Sequence, residues 1–178
     1  NSRIINEKNH IFYEKEFLGV SHIKQANINL IYIGKAVQDI ILEKNPQERE
    51  NSKEFIAKSI YNIDIELTEA KKRIHTEKNK KLLTEFDEKF FQYKNNISDA
   101  ISIIDKDIDN GENNINNKAI NFIMTAEFRS IANSAENLLN QVNTNKEVNA
   151  RNISYDLDII TKENERNNLI LIIVNLFL

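Results

Sequence analysis

Four separate segments of the chain carry apolar residues at alternating spacings of three and four. Such spacing keeps one stripe of a helix facing a partner over many turns, as in coiled coils and helical bundles. The breaks between the segments are short, and short connections make consecutive helices antiparallel. The pattern therefore predicts an all-α protein, an antiparallel up-down-up-down four-helix bundle with long first and last helices. The predicted core positions are Ile23, Ala26, Leu30, Ile33, Val37 and Ile40; Ile56, Ile60, Ile63, Leu67, Ala70 and Ile74; Leu83, Phe86, Phe90, Tyr93, Ile97, Ala100 and Ile104; and Met124, Phe128, Ile131, Ala135, Leu138 and Val142.

The few helix-breaking residues set the predicted boundaries, because the chain has only 3 Gly and 1 Pro. Pro46 disfavours helix in the residue before it and suits the first turn of the helix that follows. The segment 109–114 contains Asn and Gly, which tolerate positive φ, and is the predicted loop before the fourth helix. The predicted helices span about residues 2–42, 47–75, 80–108 and 116–178, the last without a break.

The unequal helix lengths predict that both terminal helices project past the same end of the bundle, since antiparallel order brings the termini together there. This shape is expected when both termini continue into a membrane. The ten-residue run 169–178 has one polar interruption. A spanning helix needs about 20 apolar residues, so the run is interpreted as the start of a truncated transmembrane helix. The alternative is a helix end that packs on the bundle. The chain starts at Asn1 without a methionine, and it is therefore interpreted as a fragment excised from a longer protein.

Composition and spacing argue against several classes of function. The net charge of −3, with no basic stripe, predicts no nucleic-acid partner. The chain has no cysteine, and His10, His22 and His75 lack ligand spacing, so no metal site is expected. The segment 105–116 begins like a calcium loop, but its glycine comes one residue late and its twelfth residue is asparagine. No nucleophile–base arrangement or phosphate loop is visible, which predicts neither an enzyme nor a cofactor.

Several segments share the pattern of one family of sensor domains. They are Phe12–Val20 and Ile33–Leu42 in the first helix, the leucine and aromatic positions Leu82, Leu83, Phe86, Phe90 and Tyr93 in the third, and Asp109–Gly111 followed by Ala119. In these features, over about residues 10–168, the chain resembles the four-helix-bundle ligand-binding domain of methyl-accepting chemotaxis proteins.

The resemblance implies that residues 1–168 form an extracytoplasmic (periplasmic) sensor domain of a chemoreceptor anchored in the bacterial inner membrane, with 169–178 beginning a transmembrane helix. It also implies a homodimer in which the first and fourth helices mediate contact and signalling. A small ligand is expected in the membrane-distal half, and its binding is expected to move the fourth helix along its axis. The alternative hypothesis is a structural coiled-coil adaptor without a small-molecule ligand.

The outer face of the first helix carries candidate dimer and ligand residues. With Leu30 facing the core, Ile28, Ile31 and Tyr32 point away from it, and an apolar patch of this kind predicts a dimer interface. The alternative is that these side chains fill the flank of the bundle. Lys35 follows on that face, where the family often has an arginine that binds a carboxylate. A solvated surface lysine is the alternative.

The start of the fourth helix supplies the other candidates. Asn121 falls where the extended apolar pattern requires a core residue, and a buried amide needs polar partners; fraying of the helix start is the alternative. Thr125 and Arg129 lie one turn apart and could together hold a carboxylate, although Arg129 could instead pair with a surface acid. Tyr61 on the second helix could close the pocket. The predicted ligand is an organic acid or amino acid, and its predicted contacts are Tyr32, Lys35, Tyr61, Asn121, Thr125 and Arg129.

Overall fold

The chain forms a bundle of four helical rods in the computed structural model, which describes residues 2–109 and 117–176. The predicted all-α four-helix bundle is confirmed. Residues 110–114 of the predicted loop and most of the calcium-like segment lie outside the described residues, and Asp109 ends the third helix. The rods are α1 (Ser2–His10), a π-helix (Ile11–Phe17) and α2 (Leu18–Leu42) in the first; α3 (Pro46–Lys71) in the second; α4 (Glu77–Asp109) in the third; and α5 (Asn117–Ile123) with α6 (Ala126–Leu176) in the fourth.

The connection between α2 and α3 follows from local sequence. The Asn45 side chain accepts a hydrogen bond from the Gln47 backbone N–H at 2.9 Å, so it caps α3. Pro46 occupies the first turn of that helix, where its missing N–H costs nothing. The predicted start of α3 is therefore correct to within one residue.

The connection between α3 and α4 begins earlier than predicted. The second helix ends at Lys71 instead of residue 75, and α4 begins at Glu77 instead of residue 80. The Arg73 N–H bonds to Ala70 O three residues back, at 2.9 Å, which is the tighter spacing that closes a helix. Ile74 stays buried although it lies in the turn, so its burial was read correctly and its helical state was not.

The core is formed by the predicted apolar stripes. Every predicted core position of the first and third rods is buried, including the fully buried Phe86. Ile60 and Ile131 are partly buried. Met124 was predicted wrongly, since 53% of its surface is exposed. Leu139 is fully buried and was not predicted.

The fourth rod is broken at Thr125, contrary to the prediction of one continuous helix. The Thr125 hydroxyl accepts from the Phe128 N–H at 3.2 Å and donates to Phe122 O at 2.8 Å. This is a helix N-cap, so α6 starts afresh after α5 has ended. Because the helix is interrupted there, the residues before Thr125 do not continue the core-facing stripe of α6. Met124 is therefore exposed, and the Phe122 ring packs edge-on against Phe128.

The α3–α4 turn marks one rim of the bundle, and both terminal helices pass beyond it. The Lys146 ammonium on α6 contacts Arg73 O in that turn and Lys15 O in the first rod. Residues 147–176 of α6 continue for about 45 Å at 1.5 Å per residue. There α1 stays paired with α6 through the 2.6 Å ion pair of Lys8 and Asp156. The predicted projection of the two long helices past the same rim is confirmed.

The first four residues of the apolar run near the C-terminus do not pack on the bundle. The side chains of Leu169, Ile170, Leu171 and Ile172 are all exposed. Within the part of the chain that the structure describes, no helix is both long enough and apolar enough to span a membrane.

Candidate functional site

A groove between α2 and α3 contains two of the predicted ligand residues. It lies toward the end of the bundle opposite the projecting helices and has a volume of about 290 Å³. Tyr32 and Lys35 reach it from α2, and the buried Ala36 leaves space between the two helices. The complete lining consists of Tyr32, Lys35, Ala36, Asp39, Asn51, Ser52 and Phe55.

The lining combines an aromatic wall with both signs of charge. The rings of Tyr32 and Phe55 lie 5.9 Å apart between centroids at an interplanar angle of 51°. Lys35 and Asp39 are four residues apart, so they lie on the same helix face one turn from each other. A carboxylate complements the lysine, an ammonium complements the aspartate, and an apolar group can contact the rings.

The other four predicted ligand residues lie outside the lining of this groove. Asn121, Thr125 and Arg129 are exposed at the junction of α5 and α6, and Tyr61 on α3 is 65% exposed. The expectation that Asn121 is buried is wrong, because the break at Thr125 shifts the phase of α5. The Thr125 hydroxyl is already engaged in the helix cap.

The two groups of candidates nevertheless lie at the same level of the bundle. A Cβ atom added at Gly34 on α2 would lie 3.5 Å from the Tyr93 hydroxyl of α4. The Tyr93 ring in turn packs edge-on against Phe128 of α6, at 5.6 Å between centroids. Lys35 and Arg129 are the neighbours of Gly34 and Phe128, so they flank this one layer. Of the six predicted ligand residues, only Tyr32 and Lys35 line one groove.

The predicted dimer residues Ile28, Ile31 and Tyr32 are exposed, as the helical geometry of the first rod requires. Beside Ile28, a second groove of about 290 Å³ separates α2 from α6. The side-chain oxygens of Asn27 and Asn143 are buried there without a hydrogen-bond partner. Sequence reasoning missed this groove, since the asparagines read as ordinary polar helix residues.

Sequence reasoning also missed a buried ion pair at the rim. The Lys146 ammonium lies 3.0 Å from a Glu16 carboxylate oxygen, and both residues are buried. Burial lowers the pKa of Lys146, against the opposing effect of Glu16. A signal was present. Counting back from Ile23 in steps of four and three reaches Gly19 and then Glu16, and Lys146 lies one turn beyond Val142.

The comparison with protein families decides the classification. The model of a family described as a four helix bundle sensory module for signal transduction matches residues 1–161. The chain belongs to this family. The resemblance to the sensor domain of methyl-accepting chemotaxis proteins is thereby confirmed. Modules of this family serve membrane chemoreceptors, are typically extracellular, and form a sensory rather than an enzyme family. No curated protein and no solved structure matched the chain.

Proposed function

We propose that this sensory module binds a small carboxylate-bearing metabolite in the groove between α2 and α3. The observation that carries the proposal is the meeting of Tyr32, Lys35 and Asp39 in one open groove. The Lys35 ammonium would bind the carboxylate of an organic acid or amino acid. Asp39 would bind the ammonium of an amino acid, so amino acids are expected to bind more tightly than organic acids of the same size.

The proposed signal is a displacement of α6 relative to the first rod. A ligand shifts a conformational equilibrium only by its difference in affinity for the two states. Helices packed side by side can slide by an ångström or two, and α6 continues uninterrupted from the ligand level to residue 176. A change at the groove would reach the far end along these two rods.

The proposed setting is a chemoreceptor anchored in the cytoplasmic membrane, with this domain on the extracytoplasmic side and residues 169–178 beginning a membrane helix. We expect a homodimer with Ile28, Ile31 and Tyr32 at its centre. Tyr32 belongs to both the patch and the groove, so the partner copy would lie beside the ligand. In such a dimer a second copy could bring further contacts, for which the candidates are Tyr61, Asn121, Thr125 and Arg129.

A thermal-shift screen of organic acids and amino acids tests the ligand. At least one compound is expected to raise the Tm, because a ligand that binds only the native state stabilises it by mass action. Lys35→Met should weaken that compound at least tenfold, since an ammonium–carboxylate contact contributes about 1.5–3 kcal/mol. Lys58→Met, a change of an exposed lysine on α3, is the matched control and should bind normally.

Two results would count against this assignment. Stabilisation by none of the compounds would contradict direct sensing of a metabolite. Equal affinities for Lys35→Met and Lys58→Met would remove the α2–α3 groove from the site. The variant Arg129→Ala tests whether the α5–α6 junction also contacts the ligand. If Arg129→Ala binds the stabilising compound with unchanged affinity, the junction takes no part in ligand binding.

A further inference from the structure

A buried ammonium joins three parts of the chain at the rim of the bundle. Lys146 Nζ on α6 donates to Lys15 O at 2.9 Å and to Arg73 O at 2.6 Å. Its third contact is a close ion pair with Glu16, at 3.0 Å. The two carbonyls accept hydrogen bonds from the ammonium, whereas the Glu16 contact is an ion pair, because the buried Glu16 Oε2 has no hydrogen-bond partner among the described residues. Lys15 and Glu16 lie in the π-helix, and Arg73 lies in the α3–α4 turn.

The surroundings are built to admit this side chain. The Leu18 N–H bonds to Tyr13 O, five residues back, where an α-helix would use the residue four back. Such π-turns inside α-helices occur frequently at functional sites. At the next residue, Gly19, an added Cβ atom would lie only 2.9 Å from Lys146 Cε. The glycine therefore leaves the space through which the lysine stem passes.

The position of this contact matters for a signal that travels along α6. The rim is the last level at which α6 contacts both the first rod and the α3–α4 turn, because beyond it the described part of α6 is accompanied by the first rod. A buried ammonium that loses its partners is strongly destabilised, because its charge is then uncompensated. Sliding of α6 by an ångström or two would stretch all three contacts at once. Intermediate positions are therefore disfavoured, whereas positions with a complete set of acceptors are favoured.

We propose that Lys146 is the positioning residue that sets the axial position of α6 against the first rod. A displacement of α6 must then break or exchange its three contacts, which makes the displacement a step between defined positions. This inference rests on the proposed function, in which movement of α6 is the signal. It adds the residue that holds the resting position and the place where the movement is controlled.

Distance measurement between spin labels tests the inference directly. The chain has no cysteine, so introduced cysteines are the only attachment sites. One pair is Asn9→Cys with Glu163→Cys, both exposed on the projecting helices. Lys8 lies level with Asp156, so this pair is offset by about 12 Å along the axis at 1.5 Å per residue, and sliding changes its distance. The reference pair, Gln38→Cys with Glu54→Cys, spans α2 and α3.

Lys146→Met removes the ammonium and keeps the length of the side chain. It should broaden the distance distribution of the projecting pair or add a second peak, while the reference pair keeps its single peak. The matched control is Lys24→Met. It removes another lysine paired with α6, 2.8 Å from Glu147, but at an exposed position. This control should leave both distributions unchanged.

A wild-type distribution for the projecting pair in Lys146→Met would overturn the inference, and so would an equal change in Lys24→Met. If Lys146→Met does not fold, Gly19→Ala replaces it. That variant keeps the charge but crowds Lys146 Cε, and it should broaden the same distribution; an unchanged one would again overturn the inference. No ligand is needed, so this test and the metabolite screen can fail independently.

Discussion

The Lys146 ammonium and the Glu16 carboxylate lie 3.0 Å apart, with 2% and 11% of the two side chains exposed. Removing one partner of a buried ion pair leaves the other charge without compensation, which costs about 3–5 kcal/mol. Lys146→Met should therefore lower the free energy of unfolding, measured by urea denaturation, by that amount. It also leaves the Lys15 and Arg73 carbonyls without this donor.

The pair of the exposed Lys24 with the half-buried Glu147 is the reference for that measurement. Exposed ion pairs contribute at most about 1 kcal/mol, so Lys24→Met should change the free energy of unfolding by no more than that. Equal losses in the two lysine variants would show that the Lys146 contact has no special contribution. Lys146→Met combined with Glu16→Met should recover part of the loss, because no uncompensated carboxylate then remains.

The proximity of His75 to Lys146 gives an independent electrostatic readout. Partial burial of the imidazole, and then the positive charges of Lys15 and Lys146, lower the pKa of His75 below its usual 6.5. Lys146→Met removes one of those charges, so an NMR titration should show the His75 pKa rising toward 6.5. A pKa that is the same in wild type and Lys146→Met would contradict the arrangement.

The same shift gives a direction for the pH dependence of stability. The folded state binds the His75 proton less readily than the unfolded state. The free energy of unfolding therefore falls as the pH drops through 6.5 toward the folded pKa, and the loss is complete below that pKa. His75→Asn should show a smaller loss over this range. Because His75 is largely exposed, the difference in stability loss between wild type and His75→Asn is expected to be small. A larger loss in His75→Asn than in wild type would contradict a lowered His75 pKa.

The cap at Thr125 predicts a small stability change with a chemical control. Thr125→Ala removes the acceptor for the Phe128 N–H and should lower the free energy of unfolding by about 1 kcal/mol. Thr125→Ser keeps the hydroxyl and should lose much less. If both variants unfold at the same urea concentration as wild type, the hydroxyl does not start α6.

Two neighbouring aromatics on α4 test the orientation of that helix. Phe86 is fully buried and stacks on Phe90 at 5.4 Å, whereas Phe91 is 61% exposed. Phe86→Ala should cost about 3–5 kcal/mol of unfolding free energy, because it leaves a cavity in the core. Phe91→Ala should cost about 0.5 kcal/mol or less. If Phe91→Ala cost as much as Phe86→Ala or more, the face of α4 that carries Phe86 would not be the one packed in the core.

Local pattern was sufficient for the architecture and for most of the core. Spacings of three and four are a property of consecutive residues, so the stripes through Ile33 and Phe86 could be read without knowing their partners. The end of α2 could be read for the same reason, since Asn45 and Pro46 act within one turn. The break in the fourth rod was missed because a threonine cap without glycine or proline resembles ordinary helix sequence.

The groove and the rim cluster depended on the tertiary structure. Lys35 acquires a binding surface only because α3 places Phe55 and Ser52 beside α2. Lys146 lies 131 residues from Lys15 in the sequence, and a lysine on a helix is normally a solvated surface residue. Burying it is unfavourable until distant carbonyls and a carboxylate surround it. Sequence alone thus determined which faces turn inward, because apolar burial depends on periodicity. Only the packed rods decided which charges are buried, because the compensation for a buried charge comes from residues remote in the chain.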